Sequence, residues 1–219
     1  EGQELGEIWG YTAHDLFRTE EELDNYLSSV DLSFIYPTWN TGDVKYLDTN
    51  NDERVDNGSY TKDDHGDLSI IGNNQPHYQF GISAGGNYKG IDFSMRWSGV
   101  LKRDMYFNNF ANSYWGWGHW GWWSCQLTDH HLDYFRDEPG TKYYGLKEGE
   151  ANINKDAYWP RPYQDYAKVN KNRIHPSTRY LGDASYLRLL NVQIGYSLPE
   201  SILSRLNLQK LRIYLSAEN

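Results

Sequence analysis

Residues 78–98 read Tyr78-Gln79-Phe80-Gly81-Ile82-Ser83-Ala84-Gly85-Gly86-Asn87-Tyr88-Lys89-Gly90-Ile91-Asp92-Phe93-Ser94-Met95-Arg96-Trp97-Ser98. In the first half Tyr78, Phe80, Ile82 and Ala84 alternate with Gln79, Gly81, Ser83 and Gly85. In the second, Ile91, Phe93, Met95 and Trp97 alternate with Asp92, Ser94, Arg96 and Ser98. Successive side chains of an extended strand point to opposite faces, so each half sets an apolar row against a polar one. Asn87-Tyr88-Lys89-Gly90 between them is a short turn, and the spacing predicts a hairpin of strands over 78–101.

The pattern returns near the end of the chain. Leu190, Val192, Ile194 and Tyr196 alternate with Asn191, Gln193 and Gly195. A turn at Ser197-Leu198-Pro199 then leads through Ile202-Leu203 to Leu211, Ile213, Leu215 and Ala217, alternating with Arg212, Tyr214 and Ser216. Residues 185–219 thus form a second hairpin of strands. The segment 1–77 reads as ordered loop with one helix, capped by Thr19 and entered through Glu20, Glu21 and Glu22, whose charges suit the helix dipole. It closes on Ile71-Gly72-Asn73-Asn74-Gln75-Pro76, a cluster of turn-formers. The segment 102–184 holds most of the Trp residues and the irregular Trp159-Pro160-Arg161-Pro162. A non-periodic stretch of that length is uncommon inside a compact domain and is usually functional where it occurs.

Composition agrees with extended structure. Of 219 residues, 38% are hydrophobic and 16% aromatic, with 19 Tyr, 9 Trp and a mean hydropathy of -0.82. The fold class is therefore mainly β. A transmembrane helix needs roughly 18 consecutive apolar residues, and none is present. That leaves open a transmembrane strand, whose signal is only about ten alternating residues. The formal charge of -9 and pI near 5.2, with no basic stripe, set nucleic acid aside as a partner. Cys125 is alone and forms no internal disulfide. The chain opens on Glu1-Gly2-Gln3 and stops at Ser216-Ala217-Glu218-Asn219 within an alternating pattern, so both ends are expected to be cut and targeting signals are not informative.

Hairpins with short connections, separated by very long ones and two-faced throughout, suit a partial transmembrane antiparallel β-barrel with long extracellular loops. A membrane sheet must close because lipid cannot satisfy an open edge. Alternation alone leaves a soluble β-sandwich open, since its strands alternate as well.

Several local sequences narrow the choice. Gly42-Asp43-Val44-Lys45-Tyr46-Leu47-Asp48-Thr49-Asn50, Ile71-Gly72-Asn73, Phe80-Gly81-Ile82 and Tyr88-Lys89-Gly90-Ile91-Asp92-Phe93 follow one another in order. Later come Ser177-Thr178-Arg179-Tyr180-Leu181, Asp183-Ala184-Ser185-Tyr186-Leu187-Arg188-Leu189, Asn191-Val192, Gly195-Tyr196-Ser197-Leu198-Pro199 and Leu211-Arg212-Ile213-Tyr214-Leu215-Ser216-Ala217-Glu218-Asn219. In this order and spacing they resemble the SusC/RagA-type TonB-linked outer-membrane transporters, with this chain matching the C-terminal portion. The resemblance implies a barrel of about 22 strands with a plugged lumen. It also implies location in the outer membrane of a Gram-negative bacterium and energy-coupled uptake of nutrient oligomers, commonly glycans. Implied partners are a SusD-like surface lipoprotein over the extracellular mouth and the TonB complex, engaged through an N-terminal part absent from this sequence. Membrane lipid is a further implied contact. On this topology 1–77 and 102–184 are extracellular and the turns near Lys89 and Pro199 periplasmic. No bond-breaking chemistry is implied.

Two constellations are candidate sites. Asp48, Asn50, Asp52 and Asp56, with the carbonyl of Arg54, stand at positions one, three, five, nine and seven of a calcium-loop-like pattern, making Ca²⁺ the candidate cofactor. The pattern departs at the sixth position, where Gly permits the sharp turn but Glu53 stands, and at the twelfth, Ser59, where a bidentate Glu is needed. The competing reading is an Asx-rich turn with solvated carboxylates. Trp115, Trp117, Trp120, Trp122 and Trp123 are interleaved with Gly116, Gly118, His119 and Gly121, and exposed indoles stack on the apolar faces of sugar rings. An interfacial aromatic girdle, contacts to a lid partner and packing among loops compete with that reading. His130-His131 with His119, Asp129 and Asp133 matches no zinc spacing and reads as surface loop. Asp63-Asp64 and Asp137-Glu138 resemble a hydrolase's paired carboxylates only in composition. The functions weighed are thus a transporter, a secreted calcium-loop glycan-binding β-sandwich and a glycoside hydrolase domain. Connection length favours the first, because a sandwich does not normally set tight hairpins between loops of this size.

Overall fold

A computed structural model describes residues 3–106, 129–140, 147, 149–163, 168, 171–172 and 176–219. In chain order the strands are β1 (Glu7–Tyr11), β2 (Ala13–Leu16), β3 (Val44–Tyr46), β4 (Leu68–Asn73), β5 (Tyr78–Tyr88), β6 (Ile91–Leu101), β7 (Asp104–Tyr106), β8 (Leu181–Asp183), β9 (Tyr186–Ser197) and β10 (Arg212–Glu218). Two α-helices with described bounds are α1 (Glu20–Leu27) and α2 (Glu200–Leu203). The chain divides into two compact units, one of Glu1–Asn74 with Met105–Gly182, the other of Gln75–Asp104 with Asp183–Asn219.

The second unit is built on an antiparallel sheet of order β5-β6-β9-β10, so strands successive within the unit are neighbours in space. β5 and β6 are joined by Lys89-Gly90 alone, with φ of +50° and +86°. Positive φ at both central residues fits a turn whose twist matches the strands, and Gly90 takes that conformation at little cost. The amide of Ser197 donates to the Gly90 carbonyl at 2.8 Å, tying this turn to the end of β9. The β9–β10 connection is longer and contains α2, a 3-10 turn over Ser204–Leu206 and Asn207 in the left-handed region.

In the first unit the expected helix is present: the Thr19 hydroxyl accepts from the Glu22 amide at 3.1 Å, and Leu23 is buried on the inner side. The loop reading of this unit needs correcting. It holds four strands before residue 74, pairing β1 with β4 and β2 with β3. Ile71, Gly72 and Asn73, expected as turn-formers, lie in β4, where Gly72 pairs with Ile8 and Asn73 with Glu7. These strands are three to six residues long and pair with distant partners, so local periodicity carries little sign of them.

The two long segments also share one core. Tyr11, Leu16, Phe17, Leu23, Leu32, Val44, Tyr46, Val55 and Leu68 from the first pack with Phe135, Ala157, Trp159 and Tyr180 from the second. Phe17, Trp39 and Tyr46 make edge contacts at 6.2 Å between ring centroids, which suits aromatic quadrupoles. Among the described residues, the second unit contributes only Val100 and Leu203 to the buried hydrophobic set.

Candidate functional site: a two-faced sheet and an acidic loop

Register decides what each face of the four-stranded sheet presents. Directly opposed residues share a face, so the pairings give transverse rows. One face carries Phe80/Gly99/Leu187, Ile82/Trp97/Leu189, Ala84/Met95/Val192/Ala217, Gly86/Phe93/Ile194/Leu215 and Tyr88/Ile91/Tyr196/Ile213. The other carries Gly81/Ser98/Arg188, Ser83/Arg96/Asn191/Glu218, Gly85/Ser94/Gln193/Ser216 and Asn87/Asp92/Gly195/Tyr214. One correction concerns Leu190. The partner of Arg96 is Asn191 and that of Trp97 is Leu189, so a β-bulge leaves Leu190 unmatched and gives the apolar row to Leu189.

Among the described residues, side chains of the apolar face are left widely exposed. Ile82 is 50% exposed, Ile194 53%, Ile213 63% and Leu215 78%. Contiguous apolar surface on this scale marks a contact with something other than water. Small residues shape both sides. The Phe80 ring lies where a Cβ on Gly99 would project, at 2.3 Å, so the glycine accommodates the aromatic. On the polar side Asp92 receives Arg212 through a two-pronged ion pair, Nε to Oδ1 at 2.9 Å and Nη2 to Oδ2 at 2.5 Å. A Cβ on Gly195 would meet that pair at 2.7 Å, so the glycine between β6 and β10 lets the guanidinium reach across.

In the first unit the acidic loop folds on its own amides. Asp48 Oδ1 accepts from Asn51 N at 2.7 Å and Asp52 N at 3.3 Å, and Oδ2 accepts from Glu53 N at 2.9 Å. Asn50 Oδ1 accepts from Asp52 N and Asp52 Oδ1 from Arg54 N, both at 3.0 Å. Asp56 Oδ1 takes the Gly58 amide at 2.8 Å while its Oδ2 lies 3.3 Å from Arg54 Nε. Glu53 stands at φ +65° where a calcium loop places glycine. These are nested Asx turns, in which the side-chain oxygens accept from the loop's own amides. Among the described residues no group of three or more His, Cys, Asp or Glu is gathered as a metal cluster.

Sequence reasoning passed over the carboxylate that anchors this loop. Asp67 is fully buried; it accepts from Thr49 N at 2.6 Å and Thr49 Oγ1 at 3.1 Å through Oδ1, and from Asp56 N at 2.9 Å through Oδ2. It also passed over a buried ion pair. Asp43 and Lys171 are both 0% exposed in their side chains, with Nζ 2.5 Å from Oδ2. Asp43 Oδ1 takes Tyr163 OH and Asn172 Nδ2, each at 2.9 Å, and Oδ2 takes Asn40 N at 2.7 Å. Lys171 Nζ also donates to the Thr38 carbonyl at 2.9 Å and lies over the rings of Tyr36, Trp39 and Tyr163. Burial pushes the ammonium down from its ordinary value, and the Asp43 charge opposes that. Nothing in the spacing of Gly42-Asp43-Val44 signals a partner so far along the chain.

Trp115, Trp117, Trp120, Trp122 and Trp123 lie outside the described residues, as do His119 and Cys125. Asp129–Leu132 is a 3-10 turn. Asp137 lies with Arg161 and accepts from Thr41 Oγ1 at 2.6 Å, so it serves an ion-pair network. Asp64 Oδ2 accepts from Ser59 N at 3.1 Å and Ser59 Oγ at 2.5 Å within the loop.

No protein-family model matches the chain. Over 69 residues it is 44% identical to the TonB-dependent receptor P3 of Formosa agariphila, a match covering 32% of this chain and 6% of that protein. Among solved structures, the RagAB peptide transporter superposes with a TM-score of 0.55 at 16% identity, over 98% of this chain and 18% of that one. The RagAB peptide importer in its closed-closed state superposes with a TM-score of 0.50 at 16% identity, over 98% of this chain and 19% of that one. The chain therefore spans a small part of the length of each. Its fold is similar to part of the RagAB chain, and the relative matched in sequence is a TonB-dependent receptor.

Proposed function

We propose that this chain, which is of the SusC/RagA type of TonB-dependent transporters, contributes wall and surface structure to an importer of nutrient oligomers in the outer membrane of a Gram-negative cell. A SusD-like lipoprotein closes over the extracellular side, and TonB supplies energy through parts of the transporter outside this sequence. The observation that carries the reading is the sheet's one continuous apolar face, exposed among the described residues. A sandwich would bury that face against a second sheet. Lipid asks for apolar side chains outward and polar ones inward, as the rows supply. The height fits as well. Tyr78 to Tyr88 is ten steps of about 3.3 Å, and at a tilt of about 40° this rises about 25 Å, the height of an outer-membrane apolar band. Tyr78 and Tyr88 stand at the two ends of the face, 57% and 71% exposed, with Lys102 and Lys89 over their rings. Tyrosine with a snorkelling lysine suits a membrane–water boundary.

The test is lipid contact in outer membranes of cells producing the protein. Labels at Leu215 and Ile194 should be quenched by lipid-borne quenchers and labels at Gln193 and Ser216 by aqueous ones. Equal aqueous quenching at all four positions would refute the wall.

The substrate class we favour is glycan oligomers, supported by the indole-rich run from Trp115 to Trp123, whose faces suit sugar rings. Trp117→Ala with Trp120→Ala should then weaken oligosaccharide uptake at unchanged surface amount. Unchanged uptake of oligosaccharide, or loss confined to peptide uptake, would overturn that choice.

A further inference from the structure

The β9–β10 connection has features that a membrane-wall role leaves unexplained. Two residues suffice to join β5 to β6, whereas fourteen, from Leu198 to Leu211, join β9 to β10 at the same end of the sheet. Those residues are ordered: Leu198 N donates to Leu211 O at 3.0 Å, Leu208 N to Leu203 O at 3.0 Å, and Ile202 N to Pro199 O at 3.0 Å. Leu203 is buried at 7% exposure and holds the segment down. Around it Ile202, Leu206 and Leu208 are left 43%, 54% and 44% exposed. Interleaved with them stand Arg205 and Lys210, with Lys89 on the neighbouring turn; none of the three forms an ion pair among the described residues, and Glu200 is the sole acid on these connections. Three exposed aliphatic side chains grouped on one short connection form an apolar patch that can meet something other than water.

The connection is continuous with the apolar face. It leaves β9 next to Tyr196 and enters β10 next to Ile213, the last apolar row, which also holds Tyr88 and Ile91. Aliphatic side chains mixed with cations suit the layer where acyl chains meet phosphate groups, the arrangement of an interfacial segment. We infer that residues 199–211, with Lys89, form an interfacial foot that binds the headgroups of anionic phospholipids at the short-turn edge of the sheet. The foot rests on the membrane-wall reading above. The aliphatic residues enter the acyl boundary and the three cations meet headgroup phosphates, each worth about fivefold in affinity for an anionic surface.

The experiment uses the full transporter in bilayers of phosphatidylcholine with or without phosphatidylglycerol. Spin labels are placed at Leu206, Leu208 and, as a reference, Leu215. The labels at Leu206 and Leu208 should report headgroup depth and Leu215 the acyl region. Phosphatidylglycerol retained by the purified protein should fall about 25-fold in Arg205→Gln/Lys210→Gln, with heat-resistant barrel mobility unchanged. Water-exposed labels at Leu206 and Leu208 beside a lipid-exposed Leu215, or an undiminished phosphatidylglycerol preference in the double variant, would overturn the foot alone. A water-exposed Leu215 would overturn the membrane wall and the foot with it.

Discussion

The two units solve the same problem, what to do with apolar surface, in opposite ways. The first closes thirteen hydrophobic residues into a core drawn from two distant segments. The second lays its hydrophobic residues out in rows on one face of a sheet and buries almost none of them. Charge divides along the same line: the second unit has eight Lys and Arg against five Asp and Glu, while the first carries the acidic excess. The comparison teaches that exposure has a different meaning in each unit. An apolar side chain open to water in the first would be a defect; in the second, on the proposed wall, it is the surface that would meet lipid.

The largest expected effect lies in the first unit. Asp43→Ala strands the Lys171 ammonium among Tyr36, Trp39 and Tyr163, and losing one partner of a buried pair costs about 3–5 kcal/mol. Protease resistance of the first unit should collapse while that of the second persists; simultaneous loss of both would contradict independent stability of the two units. Asp43→Leu with Lys171→Met should recover much of the loss, since no charge is then left unpaired.

Next comes the sheet. Met95→Arg puts a cation in the middle rows of the apolar face, at about 2–4 kcal/mol if that face meets the bilayer midplane. Ser94→Arg, one residue away on the polar face, should be tolerated. Equal effects of the two on membrane assembly would erase the difference between the faces.

The smallest effect concerns acid. Burial pushes the Asp137 carboxyl up, but the Thr41 hydrogen bond and the Arg161 charge outweigh it and leave the folded value lowered. A lowered folded pKa gives stability that is complete above the unfolded value of about 3.9 and is lost as pH falls through the folded one. Unfolding free energies of wild type and Asp137→Asn from urea titrations should therefore differ, by about 1 kcal/mol, above roughly pH 4 and converge below it. A gap that widened on acidification would reverse the sign and reject the assignment.

What the sequence held on its own was whatever depends on neighbours along the chain. Alternation over 78–98, and after Leu190 over 191–196 and 211–217, was enough for the strands and for the two faces, because a period of two is local. The Thr19 cap was legible for the same reason. The Asp48 loop showed its acceptors in sequence, but not that its oxygens turn toward amides, which depends on backbone torsions such as the positive φ at Glu53. Tertiary structure alone decided the rest. It matched Asp43 to Lys171, set Asp67 beneath the loop, drew Phe135, Ala157 and Trp159 into a core begun by Tyr11 and Leu16, and gave Leu189 rather than Leu190 to the apolar row. Those choices join residues far apart in the chain or turn on a one-residue bulge, and a contact made through space leaves no period in sequence to be read.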